Sequence, residues 1–207
     1  MKLASAEQVV EAMGVVGNSG SWANASRALE LSYPIVENVL ETTLLPEHRT
    51  DYFDATKSER SFRLTNMFVD SGSLVVRRSL NGDQLLNPND GELLTVADYA
   101  LSADKGILNF RQDQPTGEYQ ISVEYDSGLP ISDYDEEMLD APQWLRECGI
   151  AMAVYILNTL PSSPANRKEK SVVSVTTELR ALASQFINPR MRPRMTVVFP
   201  TLSVLDE

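Results

Sequence analysis

Apolar residues recur along this chain at two different periods, and the change of period divides it into four regions. Through residue 48 the period is helical. Ser5 to Met13 predicts a short helix closed by Gly14 and Gly17, and Trp22, Ala25, Leu29, Val36, Leu40 and Leu44 fall near one face of a longer one. Pro34 interrupts that stripe, because it lacks an N–H and its ring crowds the carbonyl of Glu30. One kinked helix and two abutting helices both satisfy the pattern.

From residue 49 to 129 the period becomes two. Tyr119, Ile121, Val123 and Tyr125 alternate with Gln120, Ser122 and Glu124, as a strand buried on one face requires. Phe62, Leu64 and Phe68 alternate likewise, as do Leu74, Val76 and Leu80 after the turn Asp70-Ser71-Gly72-Ser73. Asn81-Gly82-Asp83 and Asp104-Lys105-Gly106 are tight-turn signals, since Asn and Gly tolerate positive φ. Short strands separated by such turns predict an antiparallel sheet or small barrel rather than βαβ units.

Residues 130–187 return to helix. Ser132 to Glu137 has the acidity expected of a helix start, where the dipole is positive. Gln143 to Leu160 carries only Arg146 and Glu147 as charges, with Trp144, Cys148, Ala151 and Tyr155 on one stripe and Leu145, Met152 and Ile156 beside it. After Pro161-Ser162-Ser163-Pro164, the spacing of Val172, Val175, Leu179, Leu182 and Phe186 predicts a second helix, antiparallel to the first. Residues 188–207 form an extended arm, in which two prolines and three arginines precede the strand-prone Thr196-Val197-Val198-Phe199. The expected fold class is therefore α+β: a helical bundle with an inserted antiparallel β region and a C-terminal arm.

Composition narrows what such a fold does. The chain has 207 residues and a formal charge of −11, which disfavours general binding to nucleic acid or to an anionic membrane. The single cysteine excludes an internal disulfide and a cysteine-built zinc site, and suits folding in a reducing cytoplasm. The start Met-Lys-Leu-Ala lacks the apolar run of a secretion signal, and Ile150 to Leu157 is too short to span a bilayer.

Candidate chemistry is sparse. His48, the only histidine, lies between Glu47 and Arg49 without a Gly-x-Ser-x-Gly elbow and reads as a surface side chain. Cys148 sits on the apolar stripe and reads as a buried small hydrophobe. Asp133, Asp135, Glu136, Glu137 and Asp140 lack the frame of a calcium loop; a small acidic hydrolase using the carboxylates near Asp135 is the rival they leave open. No catalytic, cofactor-binding or metal site is expected, and no cofactor. Arg190, Arg192 and Arg194 are the one local concentration of positive charge, followed by the apolar Val197, Val198 and Phe199. That tail either packs on its own domain or inserts into a partner, by strand addition for example.

The order of elements resembles the head–tail connector proteins of tailed bacteriophages, also called adaptor or head-completion proteins. The residues that carry it are Arg49-Thr50-Asp51-Tyr52-Phe53, Asp98-Tyr99-Ala100-Leu101 with Gly106-Ile107-Leu108, Ile121-Ser122-Val123-Glu124-Tyr125-Asp126-Ser127-Gly128, and the apolar helix through Ala151, Met152 and Tyr155. It spans about Val36 to Ile187. No glycine follows Phe53, where the family often has one, and Pro34 departs from its pattern. The resemblance implies a non-enzymatic virion protein made in the host cytoplasm, forming a homo-oligomeric ring, a dodecamer, beneath the portal protein. Such a ring extends the channel for double-stranded DNA without binding it specifically, and docks the next neck, stopper or tail-terminator component. The arm (Arg190, Arg192, Arg194, Val197, Val198, Phe199) would reach the portal, and Asp90, Glu92, Asp133, Asp135, Glu136 and Glu137 would face the lumen. Another tail-completion or neck protein of the same layout is the nearer alternative.

Overall fold

The computed structural model of the chain describes residues 1–159, apart from Val16, Asn18, Lys57, Asn81, Leu86, Pro88 and Asn89, together with the backbone of Met195–Phe199. In chain order the elements are α1 (Ala6–Ala12), α2 (Ser19–Leu40), β1 (Glu47–Ala55), β2 (Ser61–Arg63), β3 (Val75–Arg78), β4 (Glu92–Leu93), β5 (Tyr99–Ser102), β6 (Ile107–Phe110), β7 (Gly117–Ser127), β8 (Ile131–Ser132), β9 (Asp135–Leu139), α3 (Gln143–Thr159) and β10 (Met195–Phe199). The fold is mixed α+β with antiparallel sheets. Two compact units result: Met1–Glu41 with Leu129–Ile187, and Thr42–Gly128 with Asn188–Glu207. The second thus interrupts the first in sequence.

In the helical unit, α1 is set by its ends. Ser5 caps it, accepting from Gln8 N while the Gln8 side chain accepts from Ser5 N, and Gly14 follows at φ 63°. Helix α2 runs unbroken through Pro34, so the one-helix alternative holds. The pyrrolidine removes one N–H, and Ser32 turns its hydroxyl onto the Leu29 carbonyl at 2.8 Å. Val9, Val10, Ala25, Ala28, Leu29 and Ala153 bury one core, while Cys148 and Met152 pack with Trp144 and Tyr155 in a second cluster. Trp22, expected on the buried stripe, is 49% exposed, because it lies in the first turn of α2 and the core begins one turn later at Ala25. Ala151 is exposed rather than part of the α3 stripe. No helix among the described residues is long and apolar enough to cross a membrane.

Ser132 to Glu137 is not a helix start. It forms the β8–β9 hairpin, and α3 begins only after Pro142. The cause is long-range: the Lys2 main chain donates to the Glu137 carbonyl at 2.8 Å and accepts from Leu139 N at 3.0 Å, adding the N-terminus alongside β9. The expected second helix over Val172 to Phe186 lies outside the described residues.

In the β unit, one sheet has the order β10-β1-β7-β3-β4 and another β2-β6-β5. Side chains from both fill one core, including Phe53, Phe62, Val76, Leu108, Phe110, Ile121, Val123 and Tyr125. Phe62 sits edge-on to Phe53 and to Phe110, each at 5.4 Å between ring centres. The turn at Asp104-Lys105-Gly106 forms as its residues predict, with Gly106 at φ 60° between β5 and β6. Asn81-Gly82-Asp83 does not close a tight hairpin: β3 pairs with β4, so the connection runs from residue 79 to 91. Burial on β7 also exceeds expectation. Gln120 and Ser122 are buried along with Ile121 and Val123, since Gln120 Nε2 bonds the carbonyls of Gly82 (3.2 Å) and Asp83 (3.3 Å) and Leu85 N bonds that of Tyr119.

Candidate functional site

The densest polar constellation lies inside the β unit. Alternation on β1 gives Arg49, Asp51 and Phe53 the same face, and Phe53 is in the core. Asp51 is therefore carried inward and is wholly buried. Its carboxylate accepts from Thr65 N at 2.7 Å, Thr65 Oγ1 at 2.9 Å and the Tyr125 hydroxyl at 2.8 Å. Burial first, and the Asp51 charge second, hold the Tyr125 phenol well above its ordinary range, so Tyr125 stays a donor. Its oxygen in turn accepts from Asn66 N at 3.2 Å.

Asn66 continues the network to the ends of the inserted segment. Its Oδ1 accepts from Thr43 N (3.1 Å) and Thr42 Oγ1 (3.3 Å), and its Nδ2 donates to Ser127 Oγ at 2.9 Å. Arg49 donates to Thr43 Oγ1 at 3.2 Å and pairs with Glu47. Gly128, at φ 110°, lies so close to the Leu45 carbonyl that a Cβ would collide with it. Where the chain enters this unit, at 42–46, and leaves it, at 125–128, the two runs are thus stapled together. The Thr65 and Tyr125 hydroxyls both donate to the buried Asp51 carboxylate, and the network ties the fold together.

The expected surface positions are distributed differently. Asp133, Asp135, Glu136 and Glu137 share the exposed β8–β9 hairpin of the helical unit, with Tyr134 at its turn 97% exposed. Asp135 Oδ1 accepts from Glu137 N at 2.9 Å, and Glu137 pairs with Lys2 at 2.5 Å, the contact that chiefly raises the Lys2 ammonium above its usual range. Asp90 and Glu92 belong to the β unit instead. Asp90 accepts from Asn87 Nδ2 at 3.1 Å, and Glu92 pairs with Arg78 at 2.7 Å. Among the described residues, no three His, Cys, Asp or Glu side chains converge on a point fit for a metal ion. A groove of about 440 Å³ between α1 and α3 is lined by Glu11, Gln143, Arg146 and Glu147, and is separate from the hairpin carboxylates.

His48 is more engaged than a bare surface residue: Nδ1 lies 2.7 Å from Asp126 Oδ1 and Nε2 3.1 Å from Glu124 Oε1. Burial, aided by Glu147, pushes the Cys148 thiol up to about 11, which makes it a poor nucleophile. Of the arm, Arg190, Arg192 and Arg194 lie outside the described residues. Val197, Val198 and Phe199 lie on β10, whose backbone pairs antiparallel with β1: His48 faces Phe199, Arg49 faces Val198 and Thr50 faces Val197.

The residues missed by pattern alone are Asp51, Asn66 and Arg49. The available signal was parity, since two charged side chains share the inward register of Phe53 on β1.

No protein-family model matches the sequence, and no curated protein matches it. Among solved structures, the chain is similar to a chain from the neck of an empty gene transfer agent particle with C6 symmetry: 13% identity, 80% of this chain, 81% of that one, TM-score 0.43. A chain from the neck of the native particle with C12 symmetry gives 13%, 75%, 81% and 0.44. One from the virion of the native particle gives 12%, 80%, 79% and 0.41.

Proposed function

We propose that this protein is a non-enzymatic structural subunit of a phage-type head–tail connector, assembling as a ring beneath a portal protein and docking the next neck or tail component. The observation that supports this reading is the nesting: a stapled β unit at 42–128 interrupts a helical unit built from both flanking segments. That is the order of elements on which the sequence resemblance rests. The acidic balance fits a channel wall, because carboxylates repel phosphates and let a duplex slide. On this reading Asp133, Asp135 and Glu136 carry the lumen charge, since Glu137 is offset by Lys2 and Glu92 by Arg78. The portal contact falls first on Arg190, Arg192 and Arg194.

The test is assembly with the portal protein of the same particle, imaged by negative stain. Full-length protein should cap the portal as a ring, whereas protein with Arg190, Arg192 and Arg194 all changed to Ala, which keeps the β10 strand, should stay folded and unbound. A full-length chain that stays monomeric at every concentration with the portal sinks the proposal.

A further inference from the structure

His48 is the chain's single histidine, and each of its ring nitrogens meets a carboxylate: Nδ1 lies 2.7 Å from Asp126 Oδ1 and Nε2 3.1 Å from Glu124 Oε1. The strand register brings them together. Asp126 stands opposite His48, and Glu124 opposite Thr50, so alternation puts all three side chains on one face of the sheet. The Asp70–Ser73 turn fixes the Asp126 main chain. Asp70 N donates to the Asp126 carbonyl at 2.8 Å, and Asp126 N donates to Ser73 Oγ at 2.7 Å.

A neutral imidazole has one N–H and one lone pair. With a carboxylate oxygen at each nitrogen, either neutral tautomer sets its lone pair against an oxygen lone pair. Both contacts become hydrogen bonds only when the trio holds one further proton, giving an imidazolium between two carboxylates. The other charged groups around the ring leave that balance intact. On β1, Glu47 and Arg49 pair with each other. On β3, Val75 faces Glu124, with Arg77 two residues on, and the Asp70 carboxylate accepts from Gly72 N. Strand β10, opposite β1, reads Met-Thr-Val-Val-Phe and brings no titratable group. The position of the trio gives it leverage: His48 is the second residue of β1, and Glu124 and Asp126 lie near the end of β7.

We propose that His48, Glu124 and Asp126 form a proton-operated clasp, which ties the start of β1 to the end of β7 while the extra proton is held and opens when it leaves. The clasp is closed on the acid side and is lost as pH rises through the range in which histidine gives up its second proton, about pH 5 to 8. It is a property of the β unit and does not depend on the connector reading.

The test is nuclear magnetic resonance of the full-length chain, in which one histidine gives one unambiguous set of ring signals. At neutral pH the two ring nitrogens should resonate close together, as in a doubly protonated ring. Two widely separated signals, the mark of a neutral ring, overturn the proposal, and this measurement needs no variant. Amide exchange at residues 47–50 and 124–127, corrected for its intrinsic pH dependence, should rise by about three- to tenfold between about pH 5 and about pH 8. Flat exchange beside a doubly protonated ring also overturns the clasp, because the charged ring then ties nothing. His48→Gln, which cannot change charge, should flatten the exchange profile; a profile that persists in it traces the pH dependence to another group and sinks the proposal. Glu124→Gln with Asp126→Asn should return the ring to the neutral pattern at neutral pH. A ring still doubly protonated in that variant would show that the carboxylates do not hold the proton, and would overturn the proposal too.

Discussion

Two groups of carboxylates divide this protein's negative charge between opposite tasks. Asp51 is wholly buried, fixed by three donors from Thr65 and Tyr125, and connected through Asn66 to both ends of the inserted segment. Asp133, Asp135 and Glu136 stand exposed on a two-stranded hairpin. A buried carboxylate without partners is very costly, so Asp51 is tolerable only because its donors are in place, and the fold around it is correspondingly specified. The hairpin carboxylates are exposed, and apart from the Asp135 Oδ1 bond to Glu137 N they make no buried contact, which leaves their charge to act at a distance. Net charge alone does not distinguish the two.

The largest effect is expected at Asp51. Asp51→Ala removes the acceptor for Thr65 N–H, Thr65 Oγ1 and the Tyr125 hydroxyl at once, and should destabilise the β unit by about 3–5 kcal/mol. Urea unfolding, with hydrogen exchange across Ile121–Tyr125, reads this directly. A loss under about 1 kcal/mol, within the range of ordinary surface changes, would erase the contrast with the hairpin. Gly128→Ala comes next. Positive φ and the collision with the Leu45 carbonyl together should cost about 1–3 kcal/mol, seen as a lower unfolding midpoint with unchanged m-value.

Tyr125 gives the contrast a pH axis. Its phenol is held above the ordinary value, so the native state keeps a proton that the unfolded chain releases. The resulting stability is fully present below about pH 10 and is lost as pH rises beyond it. Tyr125→Phe should lower stability near neutrality by about 1–2 kcal/mol and shallow the decline above pH 10. An alkaline profile that keeps its full slope in the variant would show that Tyr125 is not its source.

What could be read in advance follows from range. The short helix after Ser5, the Gly106 turn and the strand at β7 are local, and each forms, although β7 is buried on both faces where alternation predicted one. Asp133 to Glu137 misled because acidic residues ahead of an apolar run suit a helix start; the partner that makes them a strand, Lys2, lies at the other end of the helical unit's sequence. Asp51 could have been flagged by its shared register with Phe53, but its donors come from Thr65 and Tyr125, and no spacing rule predicts that meeting. Likewise, Val197 to Phe199 announce a strand, while their pairing with β1 is a matter of topology.

The smallest effect on stability, and the sharpest on function, belongs to the hairpin. Asp133→Asn, Asp135→Asn and Glu136→Gln together leave the local Asp135 Oδ1 acceptor in place and touch no buried group, so unfolding should shift by no more than about 0.5 kcal/mol. The same change takes the chain from −11 to −8 and strips the charge that, on the connector reading, keeps duplex DNA moving. Particles carrying it should eject DNA more slowly, and more so at low salt, where the screening length is longest. Loss of stability comparable to Asp51→Ala would show that the hairpin carboxylates are structural after all. Unchanged stability with unchanged ejection would instead remove them from the channel wall. Only unchanged stability with salt-dependent slowing keeps both halves of the comparison: one carboxylate spent inside on the fold, and others left outside to act on a passing phosphate.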